Sequence, residues 1–414
     1  MQTDLVRIKQ DIEELARFNA TPGQGLTRFS LTKEDREARE YLKSQLKELD
    51  VEIYEDQAAT LFARREGSDS DLPVIMLGSH FDSVRNGGNF DGPAGVVMAL
   101  EVFRLLAENG IETRYPLEFV AMIEEEGGRF GSGLFGSRAM TGQVDYEELK
   151  NNIDEDGISM AEALRDFGFN PEEIASASRK PENIKSFLEL HIEQGPLLES
   201  KDKDVGIVDY IVGIKHLNIR VSGRPDHAGT TPMEMRADAM AVASKVIAGV
   251  DKLAVAENNG TVATVGNLSV KPGATNIVPG EIQFTVDLRS KEYASIQRVK
   301  EKIETELVKL TSDNEALNYD LDEVIDIEPV EMSEEILSIF KNKAENLDFS
   351  HEEMVSGAGH DAMVMGAITD VGLIFVPSKN GRSHCPEEWT DYEDLQKGIE
   401  LVYQTILELA EVVN

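Results

Sequence analysis

Two short, mostly apolar runs, each broken off by polar residues, constrain this chain more than any other feature. Leu72–Gly78 (LPVIMLG) leads into His80, and Pro116–Ile123 (PLEFVAMI) leads into Glu124. Such brief runs fit buried strands, the usual state of strands in parallel sheets. Between them, Ala94–Asn109 has helical spacing and stops before Gly110, a residue suited to ending a helix. Strand, polar loop, helix, strand, polar loop is an α/β pattern with a mixed, largely parallel sheet and helices on both faces. Ligands of such sheets bind beyond the carboxyl ends of the strands. The polar residues that follow the two runs therefore stand where a site belongs.

The rest of the chain supplies a second pattern. Thr32–Leu49 is predicted as a helix, with Thr32 as N-cap and Asp35 at capping-box spacing. In the middle, Ile214–Val221, Thr261–Val270, Glu281–Arg289 and Ala316–Ile327 read as strands. Pro232–Val250 and Tyr293–Leu310 read as helices. The order β-α-β-β-α-β is that of a ferredoxin-like α+β unit. A chain of 414 residues is expected to hold more than one domain. The expected division is a first domain at 1–211 and 329–414, interrupted by an inserted domain at 212–328. A helix from Ser333, an apolar run at Asp370–Val376 and a helix at Asp391–Val413 complete the first domain.

Charge narrows the partners. With 77 acidic and 41 basic side chains, the formal charge is −36. A nucleic-acid binder would show a basic patch, and an anionic membrane surface would repel this chain, so neither is expected as a partner. Cys385 is the single cysteine, which rules out an internal disulfide and fits a reducing compartment. Met1–Glu14 is charged and lacks an apolar signal core. No stretch approaches the ~18 apolar residues of a membrane span. The expected location is cytoplasmic.

Seven histidines are present, so their placement carries information. His80 and Asp82 form H-x-D directly after a strand, and Asp91 follows in a Gly-rich loop. Glu124, Glu125 and Glu126 follow the next strand, His191 closes the run FLELH, and His384 sits in GRSHCPEE. Singly, each has an ordinary explanation. A lone histidine after a strand is more often structural, adjacent glutamates are usually a solvated surface, and Asp in a Gly-rich loop is usually turn chemistry. Together they place imidazoles and carboxylates along one sheet edge, and three adjacent acids at the end of a buried strand need a cationic partner. A pair of divalent ions such as zinc, manganese, cobalt or nickel would accept this donor set.

The motifs GSHFDSVRNGGNFDGPAGV, EEEGGRFGSGLFGSR, ELHIEQGPLLE, GRPDHAGTTPMEMRADA, GATNIVPGEIQFTVDLRS, SGAGHDAM and GRSHCPEE carry a family resemblance. The chain resembles the N-carbamoyl-L-amino-acid hydrolase, allantoate amidohydrolase and β-ureidopropionase group. This group belongs to the aminoacylase and carboxypeptidase superfamily of di-metal hydrolases. The resemblance runs from GLTRFSLT near residue 25 to the C-terminus and includes HIEQGP, typical of the ureido-cleaving branch.

What the resemblance implies can be placed on residues of this sequence. His80, Glu126, His191 and His384 match metal-binding positions, Asp91 matches the residue that bridges two ions, and Glu125 matches the general base. Asp82 would orient His80, and Glu124 would support its loop. His227 matches an active-site imidazole, often supplied by the neighbouring subunit. Gln194, Asn276 and Arg289 match substrate-holding residues, with Arg289 facing a carboxylate, and Gly359 lies in a loop whose backbone faces the substrate. The implied substrate is a small ureido carboxylate: N-carbamoyl-L-amino acids first, then allantoate, then N-carbamoyl-β-alanine. The implied assembly is a homodimer through the inserted domain. Cys385 beside His384 departs from the common pattern, and His216 and His351 fall in no chemical motif.

Overall fold

The continuous apolar runs become neighbouring strands of a nine-stranded sheet. The computed structural model describes residues 2–413. Its larger sheet contains β1 (Glu52–Glu55), β2 (Leu61–Arg65), β3 (Val74–His80), β4 (Leu117–Met122), β5 (Ile184–Ile192), β6 (Val205–Ile211), β12 (Val330–Glu331), β13 (His351–Ser356) and β14 (Asp370–Val376). Their order is β1-β2-β4-β3-β5-β14-β6-β12, with β13 beside β6. β4, β3, β5 and β14 run parallel. β1 and β2 run antiparallel to their neighbours, and β6 runs antiparallel to β14. The sheet is thus mixed and largely parallel at its centre, as the sequence pattern predicts.

Every residue of β3 and β4 is buried, including Glu118. The helix Pro93–Glu108 packs on this part of the sheet and buries residues around most of its circumference, which explains its nearly unbroken apolar sequence. Pro93 occupies its first turn, where a missing N–H costs nothing. Parallel register aligns the strand ends. His80 pairs with Met122 at the ends of β3 and β4, and His191 pairs with Phe375 near the ends of β5 and β14. Loops after these strands therefore leave from one edge.

The chain divides into two compact units: residues 2–209, 331–354 and 360–413, and residues 210–330 with 355–359. The second contains β7 (Gly213–Ser222), β8 (Val262–Thr264), β9 (Leu268–Lys271), β10 (Glu281–Ser290) and β11 (Asn318–Ile327). They form an antiparallel sheet ordered β11-β7-β10-β8, with β9 also on β10. Helices Ala239–Val255 and Tyr293–Thr311 close one core over it.

Three local expectations need correction. The strand expected at 261–270 is split. Thr264 pairs with Asp287 and Leu268 with Phe284, so one extra residue around Gly266 interrupts the ladder as a bulge. The helix expected from Pro232 begins at Ala239. Ala237 instead bridges to Arg224, and the Asp238 carboxylate caps the N–H groups of Met240 and Ala241. Residues 355–359, placed by sequence with the first domain, join the second unit. The Val212 N–H donates to Ser356 O and Arg289 to Gly357 O.

Candidate metal centre

Two groups of ligand-type side chains share one carboxylate. His80, Asp91 and His191 form the first, and Asp91, Glu126 and His384 the second. Oδ1 of Asp91 lies 3.6 Å from Nε2 of His80 and 3.1 Å from Nε2 of His191. Its Oδ2 lies 3.3 Å from Nε2 of His384, which is 3.2 Å from Oε2 of Glu126. Each oxygen of Asp91 thus faces a different imidazole set. Glu125 brings Oε2 to 3.7 Å from Nε2 of His80.

Hydrogen bonds define which ring nitrogens are free. Nδ1 of His191 is 2.9 Å from Ile192 O, and Nδ1 of His80 is 3.3 Å from Asp82 O. A carbonyl can only accept, so Nδ1 carries a proton in both rings, which leaves Nε2 as the atom each ring offers to a metal. Nε2 of His80 and Oε1 of Glu126 are buried with no hydrogen-bond partner. Buried polar atoms are rarely left this way, and a cation held by these residues would satisfy both. The donor set therefore fits divalent metal.

The charges respond to one another. Burial alone would raise the Asp91 carboxyl, but His191, His384 and His80 hold it well below its usual range. Burial pushes Glu125 well upward, and Glu126, Asp361 and Asp82 add repulsion against the opposing pull of His80. The His384 imidazole is raised to about 11 by Asp91 and Glu126, against the effect of burial. A carboxyl with raised proton affinity beside these histidines suits proton transfer.

The supporting loops are tightly specified. Asp82 accepts from the N–H groups of Glu125 and Glu126, each at 3.2 Å. It therefore fixes the backbone that presents both acids, besides lying 3.5 Å from His80 Nδ1. Glu124 is fully buried and accepts from the N–H groups of Arg129 and Phe130. Arg129 in turn binds Ser30 O, Leu31 O and Asp154. Glu124, Gln194 and His384 all have positive φ, near 55°, a conformation uncommon for non-glycine residues and concentrated at functional sites.

Gln194 is part of this centre, donating from Nε2 to Asp91 Oδ2 at 2.7 Å. Two further residues were not anticipated. Ser383 Oγ lies 2.6 Å from Asp91 Oδ2 and 2.9 Å from Glu388 Oε2 and has one proton to share between them, while Glu388 accepts from the N–H groups of Phe90 and Asp91. The acids in GRSHCPEE were the available signal for Glu388. His360 packs its ring 4.5 Å from that of His191.

The remaining sequence-predicted residues lie in the second unit. Nδ1 of His227 accepts from Gly229 N–H at 3.0 Å, so the neutral imidazole carries its proton on Nε2. Arg236 holds the same loop through Ala228 O and Thr231 O. Asn276 O accepts from Ala228 N–H, and His227 bridges to Ile277, so the loops bearing His227 and Asn276 are joined. Arg289 binds Asp287 and Gly357 O, two residues before Gly359.

A parallel-centred sheet whose strand ends deliver two histidine–carboxylate groups around one aspartate belongs to a defined class. The chain is a member of peptidase family M20/M25/M40, whose description matches residues 76–408. That family is metal-dependent and acts on amide C–N bonds, and the chain is a hydrolase. It is 46% identical over 400 residues to the N-carbamoyl-L-amino-acid amidohydrolase of Paenarthrobacter aurescens, covering 97% of each chain. It is 36% identical over 403 residues to the allantoate amidohydrolase of Bacillus subtilis, covering 96% of each. Among solved structures, a hydantoinase/carbamoylase-family amidase from Burkholderia multivorans superposes with a TM-score of 0.87. The two share 32% identity over 99% of this chain and 98% of that one.

Proposed function

We propose that the chain hydrolyses the ureido C–N bond of N-carbamoyl-L-amino acids, yielding amino acid, ammonia and carbon dioxide. The observation that carries this reading is Asp91 shared between two histidine–carboxylate groups with Glu125 beside them, in a chain 46% identical to an N-carbamoyl-L-amino-acid amidohydrolase. His80 and His191 would hold one divalent ion, Glu126 and His384 a second, and Asp91 both. Zinc, manganese, cobalt or nickel suits these donors. Such a pair, when bound, supplies Lewis acidity and an activated water.

The chain's own residues do the rest. Glu125 takes a proton from the attacking water and passes it to the departing nitrogen. Asp82 keeps Glu125 and Glu126 aimed by holding their N–H groups. His227 offers its Nε2–H to the carbonyl oxygen as negative charge develops there. Arg289 pairs with the substrate carboxylate through its planar fork. Gln194, Asn276 and the backbone at Gly359 hold the remaining polar groups. Two copies would join through their inserted units, so that each His227 serves the other copy's centre.

A panel that detects ammonia from the ureido substrates and newly freed amino acid from dipeptides tests this reading. It should compare N-carbamoyl-L-amino acids, allantoate, N-carbamoyl-β-alanine and dipeptides, with manganese, cobalt, nickel and zinc each added. Highest kcat/KM on an N-carbamoyl-L-amino acid is expected. Preference for dipeptides would contradict it. Preference for allantoate would favour the second reading, which the Bacillus subtilis relative supports.

A further inference from the structure

The outward side of β10 carries a polar array that the metal centre does not use. Phe284, Val286 and Leu288 are buried in the core of the second unit. Alternation then places Thr285, Asp287 and Arg289 together on the other face. β7 runs antiparallel beside β10 and sets His216 directly opposite Asp287. Nε2 of His216 lies 2.9 Å from Oδ2 of Asp287. The same carboxylate takes Arg289 side-on, with Nε at 2.9 Å from Oδ1 and Nη2 at 3.0 Å from Oδ2. Nη1 of Arg289 donates to Gly357 O at 2.7 Å.

A guanidinium has five N–H bonds. Asp287 and Gly357 engage one on each of Nε, Nη1 and Nη2. One N–H therefore remains on each terminal nitrogen, the number a carboxylate accepts in a bidentate pair. Burial would raise the Asp287 carboxyl, but His216 and Arg289 keep it well below its usual range, so it stays ionised.

We infer that Asp287 is a positioning residue for Arg289, steadied by His216, and that the fixed orientation of the guanidinium sets affinity for the substrate carboxylate. This rests on the proposed role of Arg289. Two effects oppose each other. Asp287 partly neutralises Arg289, so removing it would strengthen attraction for an anion. Asp287 also immobilises a long side chain that otherwise samples many rotamers. Both side chains are 31% exposed, so solvent screens the first effect. The orientational effect wins.

Steady-state kinetics on an N-carbamoyl-L-amino acid and its carboxamide counterpart tests this. Asp287→Ala should raise KM for the carboxylate substrate ~10-fold, the scale of one lost hydrogen bond to a charged group. It should leave kcat unchanged and leave KM for the carboxamide unaltered. Asp287→Asn keeps one acceptor for Arg289 and should fall between. His216→Ala should show a smaller rise, and His216→Gln, which can still donate to Asp287, should restore the wild-type value. Damage to folding would move both substrates together, and thermal melting of Asp287→Asn monitors it independently. An equal rise for both substrates overturns the inference. So does an unchanged or lowered carboxylate KM in Asp287→Ala when Arg289→Ala raises it, and that outcome leaves the role of Arg289 standing. An unchanged KM in Arg289→Ala overturns both.

Discussion

Oδ1 of Asp91 stands 3.1 Å from Nε2 of His191, and this contact ties the loop after β3 to the end of β5. The other oxygen of Asp91 reaches His384 in a loop distant in sequence. One carboxylate thereby organises ligand-type side chains from separate parts of the chain, and small errors in its loop should be costly.

Gly92, next to Asp91, shows how little room exists. Its φ is +81°, and an added Cβ would lie 2.4 Å from Cε1 of His80. Gly92→Ala should therefore displace His80 and strain the loop. Metal affinity is expected to fall ~10–100-fold, the range for losing a group that orients a ligand, with little change in the fold. Metal titration followed calorimetrically checks this, and wild-type affinity would contradict it.

Glu125 and Glu126 are adjacent but should fail differently. Glu125→Gln cannot accept the water's proton, so kcat should fall ~100–10,000-fold with metal content intact. Glu126→Gln removes a ligand-type oxygen and should lower metal occupancy. Elemental analysis alongside turnover separates the two. Near-normal turnover in fully loaded Glu125→Gln would mean the base lies elsewhere.

His227 provides the test of assembly. Glu125→Ala and His227→Ala should each be nearly inactive alone. If each site takes Glu125 from one copy and His227 from the other, a mixed dimer has one doubly defective and one intact site. Random exchange of equal amounts makes half the dimers mixed, so about a quarter of wild-type activity should return. Exchange demonstrated with differently tagged chains, without recovery, would rule out the shared site.

Asp56 should govern part of the pH dependence of stability. Burial pushes its carboxyl up to about 7, against the N–H groups of Thr60 and Ala58 and the charges of Arg179 and Arg39. An acid whose pKa is raised on folding binds its proton more tightly in the folded state. Its contribution is fully present below the ordinary value of 3.8 and is lost as pH rises through about 7. Asp56→Asn removes the ionisation and keeps an oxygen for both N–H bonds. Melting temperatures should show the variant gaining on the wild type across that window. A constant difference would contradict it.

Much of this arrangement was legible because burial and chemistry coincide at strand ends. The runs before His80 and Glu124 are continuous and apolar, so β3 and β4 were plain, and Asp370–Val376 matches β14 residue for residue. The histidines and acids of the centre were marked by falling just beyond such runs. β1 and β2 were missed because EIYE and LFARR mix charge with short apolar stretches. Capping was subtler than spacing suggests. Thr32 caps its helix, but Asp35 reaches back to Leu31 N–H. Ser383 and Glu388 act through Asp91 across the fold, and no local pattern encodes that pairing. His216 looked motif-free because its partner Asp287 sits on another strand.

The central claim is that His80, Asp91, Glu126, His191 and His384 hold divalent ions on which ureido hydrolysis depends. The most direct measurement is metal content by elemental analysis together with ammonia release from an N-carbamoyl-L-amino acid, before and after prolonged chelation. About two ions per chain, loss of activity on their removal and recovery on adding back a divalent metal are expected. Full turnover by protein shown to be metal-free would contradict it.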